Sequence, residues 1–174
     1  VVDSPWVQRL PGETFGGWTV YSTGQGIVQV ASFGRPSAID GAQSLELNFF
    51  VPCGVQQTVA TTPGTDYVLR FLMAGQTDTG PDLKQMRIDW DNDAVATVDW
   101  SRSGSGGQWQ QHTLVLRATS ASTALGFFGL TDVDGGPYLD AVSLVPCLRI
   151  TENPTDATSC STGGANFSFA AVGA

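Results

Sequence analysis

Lysine is nearly missing from this 174-residue chain, where Lys84 is the only one, and His112 is the only histidine. Glu occurs three times against thirteen Asp, and the formal net charge is −8. Nucleic-acid phosphates need clustered Lys and Arg, whereas the seven arginines here are scattered, which argues against nucleic acid as a partner. No apolar run approaches the roughly 20 residues of a helical membrane span, so no membrane insertion is expected. The three cysteines, Cys53, Cys147 and Cys160, match no metal-ligand spacing and have no His or Cys cluster beside them. No charged leader followed by an apolar segment opens the chain, so a signal peptide, if made, is expected to have been removed.

What is present points to strands. Gly (21) and Pro (9) are plentiful and only 14% of residues are charged, against about a quarter in a typical domain. Asp, Gly, Pro and Thr favour turns and strands over helices. A chain of this length buries roughly 70% of its unfolded surface, enough for a core without staples. Few lysines with abundant Thr, Ser and Gln suit a secreted, extracellular or cell-surface protein.

Alternating or apolar runs recur between turn signals, the all-β rhythm. They cover 18–21, 27–32, 44–50, 55–60, 67–75, 85–90, 94–100, 110–118, 124–130 and 138–145. Tyr67, Leu69, Phe71 and Met73 share one face while Arg70 takes the other. His112, Leu114 and Leu116 oppose Gln111, Thr113 and Arg117. A period of two buries one face and wets the other, which predicts antiparallel sheets packed as a two-sheet β-sandwich. Thr62-Pro63-Gly64-Thr65 reads as a type II turn, Asp91-Asn92-Asp93 as a hairpin loop, and 101–108 as a mobile Gly/Ser loop. No helix is expected. After Pro146 the pattern turns polar, so the division is a sandwich over 1–146 and a C-terminal tail over 147–174. The tail regains strand character from Asn166 to Val172.

Several stretches together resemble secreted proteins with a galactose-binding-like jelly roll. These include plant cell-wall proteins of a domain-of-unknown-function family and bacterial choice-of-anchor C surface proteins. The stretches are Gly17-Trp18-Thr19-Val20, the run from Ile39 to Asn48, Val55-Gln56-Gln57-Thr58, the run from Thr62 to Phe71, Trp109 before a strand, and the run from Gly136 to Leu144. The resemblance spans roughly 15–145 and implies a jelly roll, a carbohydrate-binding role at a cell wall or matrix, and a structural Ca²⁺. Asp140 occupies the matching last-strand position for that ion. Asp40, Asp132 and Asp134 lie in loops that could also ligate Ca²⁺, although turn aspartates commonly satisfy local backbone.

One departure stands out. Members of that group open with a strand ahead of Gly-Trp-Thr-Val, and no such strand is legible here. The tail offers a replacement, with Asn166, Phe167 and Phe169 filling the gap in the same chain or in a neighbour. Exchange with a neighbour would give a head-to-tail filament or surface layer. Asn166 also begins a glycosylation sequon, and a glycan there would oppose strand insertion.

Trp90, Trp100 and Tyr138 fall at strand ends or near loops, where a sugar-stacking platform could form for a polysaccharide or cell-wall glycan. Trp18 and Trp109 read as core, and packing of all five Trp residues is the competing reading. In an oxidising compartment Cys147–Cys160 would pin the tail to the body. Cys53–Cys147 and three unpaired thiols are the alternatives. The phase of His112 beside Leu114 and Leu116 makes it a half-buried structural residue. No carboxylate pair is singled out, so no catalytic residue and no enzyme is expected.

Overall fold

The computed structural model describes residues 6–22, 27–31, 36–48, 51–147, 149–152 and 170–172. The strands are β1 (Trp6–Arg9), β2 (Thr14–Phe15), β3 (Trp18–Ser22), β4 (Ile27–Ala31), β5 (Gln43–Glu46), β6 (Cys53–Ala60) and β7 (Asp66–Gly75). They continue as β8 (Leu83–Trp90), β9 (Asp93–Ser101), β10 (Gln110–Arg117), β11 (Ser122–Gly129), β12 (Pro137–Pro146), β13 (Arg149–Glu152) and β14 (Ala170–Val172). The first sheet runs β1-β4-β5-β12-β7-β10 and the second β2-β3-β6-β11-β8-β9. Both are antiparallel, and together they make the two-sheet sandwich that the strand periodicity predicts, of the jelly-roll type that the family resemblance implies.

The core follows the expected phase. Leu69, Phe71 and Met73 of β7 face Met86 and Ile88 of β8 and Leu125 and Phe127 of β11, all at most 2% exposed. Phe71 stacks on His112 and meets Phe127 edge-on, the two ring centroids lying 5.1 Å apart. Burial alone lowers the pKa of that histidine.

Turn chemistry fixes the register. Gly64 has φ +79° and Thr65 N donates to Thr62 O at 3.1 Å, as a type II turn requires. The β8–β9 hairpin turns on Asp91 and Asn92, at φ +57° and +69°, a left-handed pair that Asp and Asn tolerate better than most residues.

Three expectations are corrected. Strands β1 and β2 precede Trp18, where none was expected. Pro5 and Pro11 flank β1, and β2 spans only 2 residues, too short for an alternating pattern to show. The segment 101–108 contains a short helix, α1 (Arg102–Ser105). Ser101 Oγ accepts from Gly104 N at its start and Gly106 ends it in the left-handed region. Lastly, β14 pairs with β13 in a two-stranded sheet, so residues 170–172 of the tail find their partner within the tail. Asn166, Phe167, Phe169 and Cys160 lie outside the described residues, and with them the glycan, the exchanged strand and the Cys147–Cys160 pair. Cys53 and Cys147 are not bridged to each other.

Candidate functional site

The three aromatic residues expected to form a sugar platform are in the interior. Trp90, Trp100 and Tyr138 are 6%, 1% and 4% exposed. Each polar tip is satisfied internally. Trp90 Nε1 donates to Arg117 O and Trp100 Nε1 to Gln108 O, both at 2.8 Å, and Tyr138 Oη donates to Glu46. A buried ring has no free face for a ligand, so this expectation is corrected. Strand-end position in sequence does not distinguish a rim residue from one turned inward.

The outward face of the second sheet carries a different set. Along β8 the burial alternates, with Lys84, Met86, Ile88 and Trp90 inward and Arg87 and Asp89 outward. Pairing places two cross-strand rows on this face. One runs Tyr21–Gly54–Phe128–Arg87, the other Thr19–Gln56–Gly126–Asp89. Because Gly126 carries no side chain, the sheet surface is indented between larger neighbours, whereas the space over Gly54 is taken up by Phe127 and Phe128. A Cβ at Gly126 would stand 3.1 Å from Tyr21 Oη and 3.3 Å from Asp89 Cβ. The result is a hollow of about 190 Å³ lined by Tyr21, Gln56, Arg87, Asp89, Asn92, Ala124 and Gly126.

The walls of the hollow are braced. Phe128 stands between Tyr21, with centroids 5.2 Å apart, and the Arg87 guanidinium, 4.8 Å from its ring centre. Arg87 grips Asp89 with two bonds, Nε to Oδ1 at 2.7 Å and Nη2 to Oδ2 at 2.9 Å. Tyr21 Oη donates to Asp89 Oδ2 at 3.0 Å. Burial and then the Asp89 charge push the Tyr21 phenol well above its ordinary value, so it stays protonated as a donor. The Asp89 hydrogen bond raises the Arg87 pKa further. Gln56 and Asn92 are exposed, and their amides have no hydrogen-bond partner among the described residues. An aromatic wall, a flat floor and unspent amides make a surface suited to a polar ligand with an apolar face.

The expected Ca²⁺ residues fall in two places. Asp140, 7% exposed, accepts from the amides of Ile39 at 2.7 Å, Asp40 at 3.1 Å and its neighbour Ala141 at 2.7 Å. It therefore ties the loop holding Asp40 to β12, through amide donors that use the carboxylate as an acceptor. Asp132 and Asp134 belong to the β11–β12 loop, packed on Thr79 and Gly80. Among the described residues no three His, Cys, Asp or Glu side chains gather as a metal would need.

Two further features belong to the core. A cleft of about 360 Å³ opens between the sheets, lined by Phe15, Trp18, Leu45, Val59, Val142 and Leu144 among others, mostly apolar. At one end of the sandwich the sole lysine, Lys84, is fully buried, its Nζ donating to Thr79 O at 3.1 Å. Burial lowers its pKa. Near it, burial pushes the Glu46 carboxyl up to about 7. These charges are enclosed and hold loops together, so neither offers a ligand surface.

Asn92 was read from sequence as part of a hairpin loop and Gln56 as part of a family stretch, but none of the hollow's residues was read as a ligand contact. The available signal was outward Tyr21 and Phe128 at period two, with Gly54 and Gly126 where side chains would be expected.

The fold recurs in solved structures. A family 35 carbohydrate binding module from Clostridium thermocellum is similar at 15% identity and a TM-score of 0.54, over 81% of this chain and 98% of that one. TmCBM61, solved in complex with beta-1,4-galactotriose, is similar at 15% identity and 0.54, over 76% and 90%. A cyclase from Fischerella sp. TAU is similar at 13% identity and 0.54, over 80% and 86%. Likeness at this identity speaks for the fold alone. No curated protein matches the sequence. Residues 13–145 match the family described as "Protein of unknown function (DUF642)", and the chain belongs to that family.

Proposed function

We propose that the chain is a secreted carbohydrate-binding module that holds a glycan in the hollow on the second sheet without cleaving it. The observation that carries this reading is the indented floor at Gly126 and Ala124, ringed by Tyr21, Gln56, Arg87, Asp89 and Asn92. A pyranose presents an apolar C–H face and an equatorial ring of hydroxyls. Here the C–H face lies along Tyr21, and hydroxyls meet the free amides of Gln56 and Asn92. The Arg87–Asp89 pair and Phe128 fix Tyr21 in place, so little ordering is left for the moment of binding. Among the described residues Asp89 is the one carboxylate lining the hollow, whereas glycoside hydrolysis by carboxylates needs a pair. The sandwich shared with carbohydrate-binding modules supports the reading at the level of architecture.

The test is a glycan array followed by titration calorimetry on its hits, with Gln56→Ala, Asn92→Ala and Tyr21→Ala beside the unaltered protein. Each variant is expected to weaken binding by about tenfold, the loss of one good polar or stacking contact. An array without hits, or variants that bind as tightly as the parent, refutes the assignment.

A further inference from the structure

The charges around the hollow bear on which glycans it accepts, an inference that rests on the reading of the hollow as a glycan site. Among the described residues Arg87 is the one cation lining it, and its Nε and Nη2 are both directed at Asp89. The guanidinium plane lies over Phe128, 4.8 Å from the ring centre. Asp89 in turn has both oxygens engaged, by Arg87 and by Tyr21 Oη. A carboxylate ligand seeks a guanidinium fork; the Nε–Nη2 edge of this one is taken by a carboxylate of the protein that also matches its charge, which leaves Nη1 as a single donor.

The surroundings are acidic without relief. Asn92, which lines the hollow, sits between Asp91 and Asp93 on the exposed β8–β9 turn. Among the described residues Asp91 accepts from the Thr119 hydroxyl at 3.1 Å, and neither Asp91 nor Asp93 is ion-paired; the salt bridges are Arg87–Asp89 and Arg117–Asp66. The groups left for a ligand are the neutral amides of Gln56 and Asn92 and Nη1 of the charge-matched Arg87.

We propose that the hollow is selective for neutral glycans and rejects uronic-acid glycans, with Asp91 and Asp93 acting as an electrostatic fence. A uronate seated against Asn92 brings a third uncompensated charge beside the two that flank Asn92 in the turn, and the cation lining the hollow, Arg87, already has its charge matched by Asp89. Selectivity of this kind comes from repulsion of the wrong ligand as much as from contacts to the right one.

The test uses the full chain and two matched probe sets. One is a neutral set of β-1,4-galactotriose, cellotriose and β-1,4-mannotriose. The other is the same three oxidised at C6 to uronates. Calorimetry at low salt is expected to show the neutral form of any bound sugar at least about tenfold tighter than its oxidised form. Raising the salt toward 1 M should narrow that gap. The double variant Asp91→Asn/Asp93→Asn should narrow it too, leaving neutral affinity unchanged, because neither residue lines the hollow and Asn tolerates the same left-handed turn. Oxidised sugars that bind as tightly as neutral ones overturn the fence while leaving the glycan site standing. A gap that ignores both salt and the double variant also overturns it. Absence of binding by every probe in both forms overturns the site and the fence together.

Discussion

Replacing Trp100 by Phe separates a core residue from a binding residue in a single measurement. Trp100 is 1% exposed, and a Cβ on Gly75 would lie 2.5 Å from its Cε3, so the indole fills the space that Gly75 leaves open. Its Nε1 donates to Gln108 O at 2.8 Å. Trimming indole to phenyl leaves about 40 Å³ of cavity, roughly 1 kcal/mol at ~24 cal/mol per Å³. Losing the hydrogen bond adds about 1 kcal/mol, at the modest end because Gln108 is exposed and water can reach its carbonyl. A total near 2 kcal/mol lowers the melting temperature by about 4–8 °C for a chain of this size. Differential scanning calorimetry gives that shift, and titration of the same sample with a glycan hit gives the affinity. The expected result is a lower melting temperature with affinity kept to within about twofold. An unchanged melting temperature, or a tenfold loss of affinity at constant stability, would show that Trp100 is a ligand platform and that the outward hollow is misassigned.

Three other outcomes follow from the same geometry. Gly126→Ala puts a methyl group 3.1 Å from Tyr21 Oη, on the floor of the hollow. Glycan affinity should fall about tenfold by calorimetry, while stability changes by no more than about 1 kcal/mol. Glu46 has its carboxyl raised from 4.5 to about 7 by burial, so the folded state keeps a proton that the unfolded chain releases. Its contribution is complete below about pH 4.5 and is lost as pH rises through 7, a fall of at most about 3 kcal/mol. Urea unfolding at pH 5 and pH 8 should show that fall in the parent and a much flatter response in Glu46→Gln; equal slopes would refute the assignment. Asp140→Asn removes the charged acceptor of the Ile39 and Asp40 amides. It should cost about 2 kcal/mol and speed hydrogen exchange at those two amides, whereas unchanged exchange would mean that the loop is held by something else.

Period-two alternation was strong enough to locate ten strands, because a strand that buries one face in a shared core would expose Leu or Phe to water on any slip in register. The Pro63-Gly64 turn and the Asp91-Asn92 hairpin were legible for a similar reason, since few residues adopt those backbone angles. Strands β1 and β2 were not, since prolines at positions 5 and 11 bracket β1 and the 2 residues of β2 are too few for a pattern to repeat. The single turn of α1 depends on one Ser cap inside a stretch whose composition says loop.

The sequence by itself determined the fold class, the strands of the core and the acidic surface, because hydrophobic phase and turn chemistry act over a few neighbouring residues. It left open which aromatic residues face water. Tertiary structure alone decided that Trp90, Trp100 and Tyr138 turn inward, and that Tyr21, Gln56, Arg87, Asp89 and Gly126 share one surface. Those residues stand on four strands far apart in the chain, and only the cross-strand register brings them within a few ångströms of one another. Register over such separations is set by packing of the whole sandwich, which no local stretch of sequence contains.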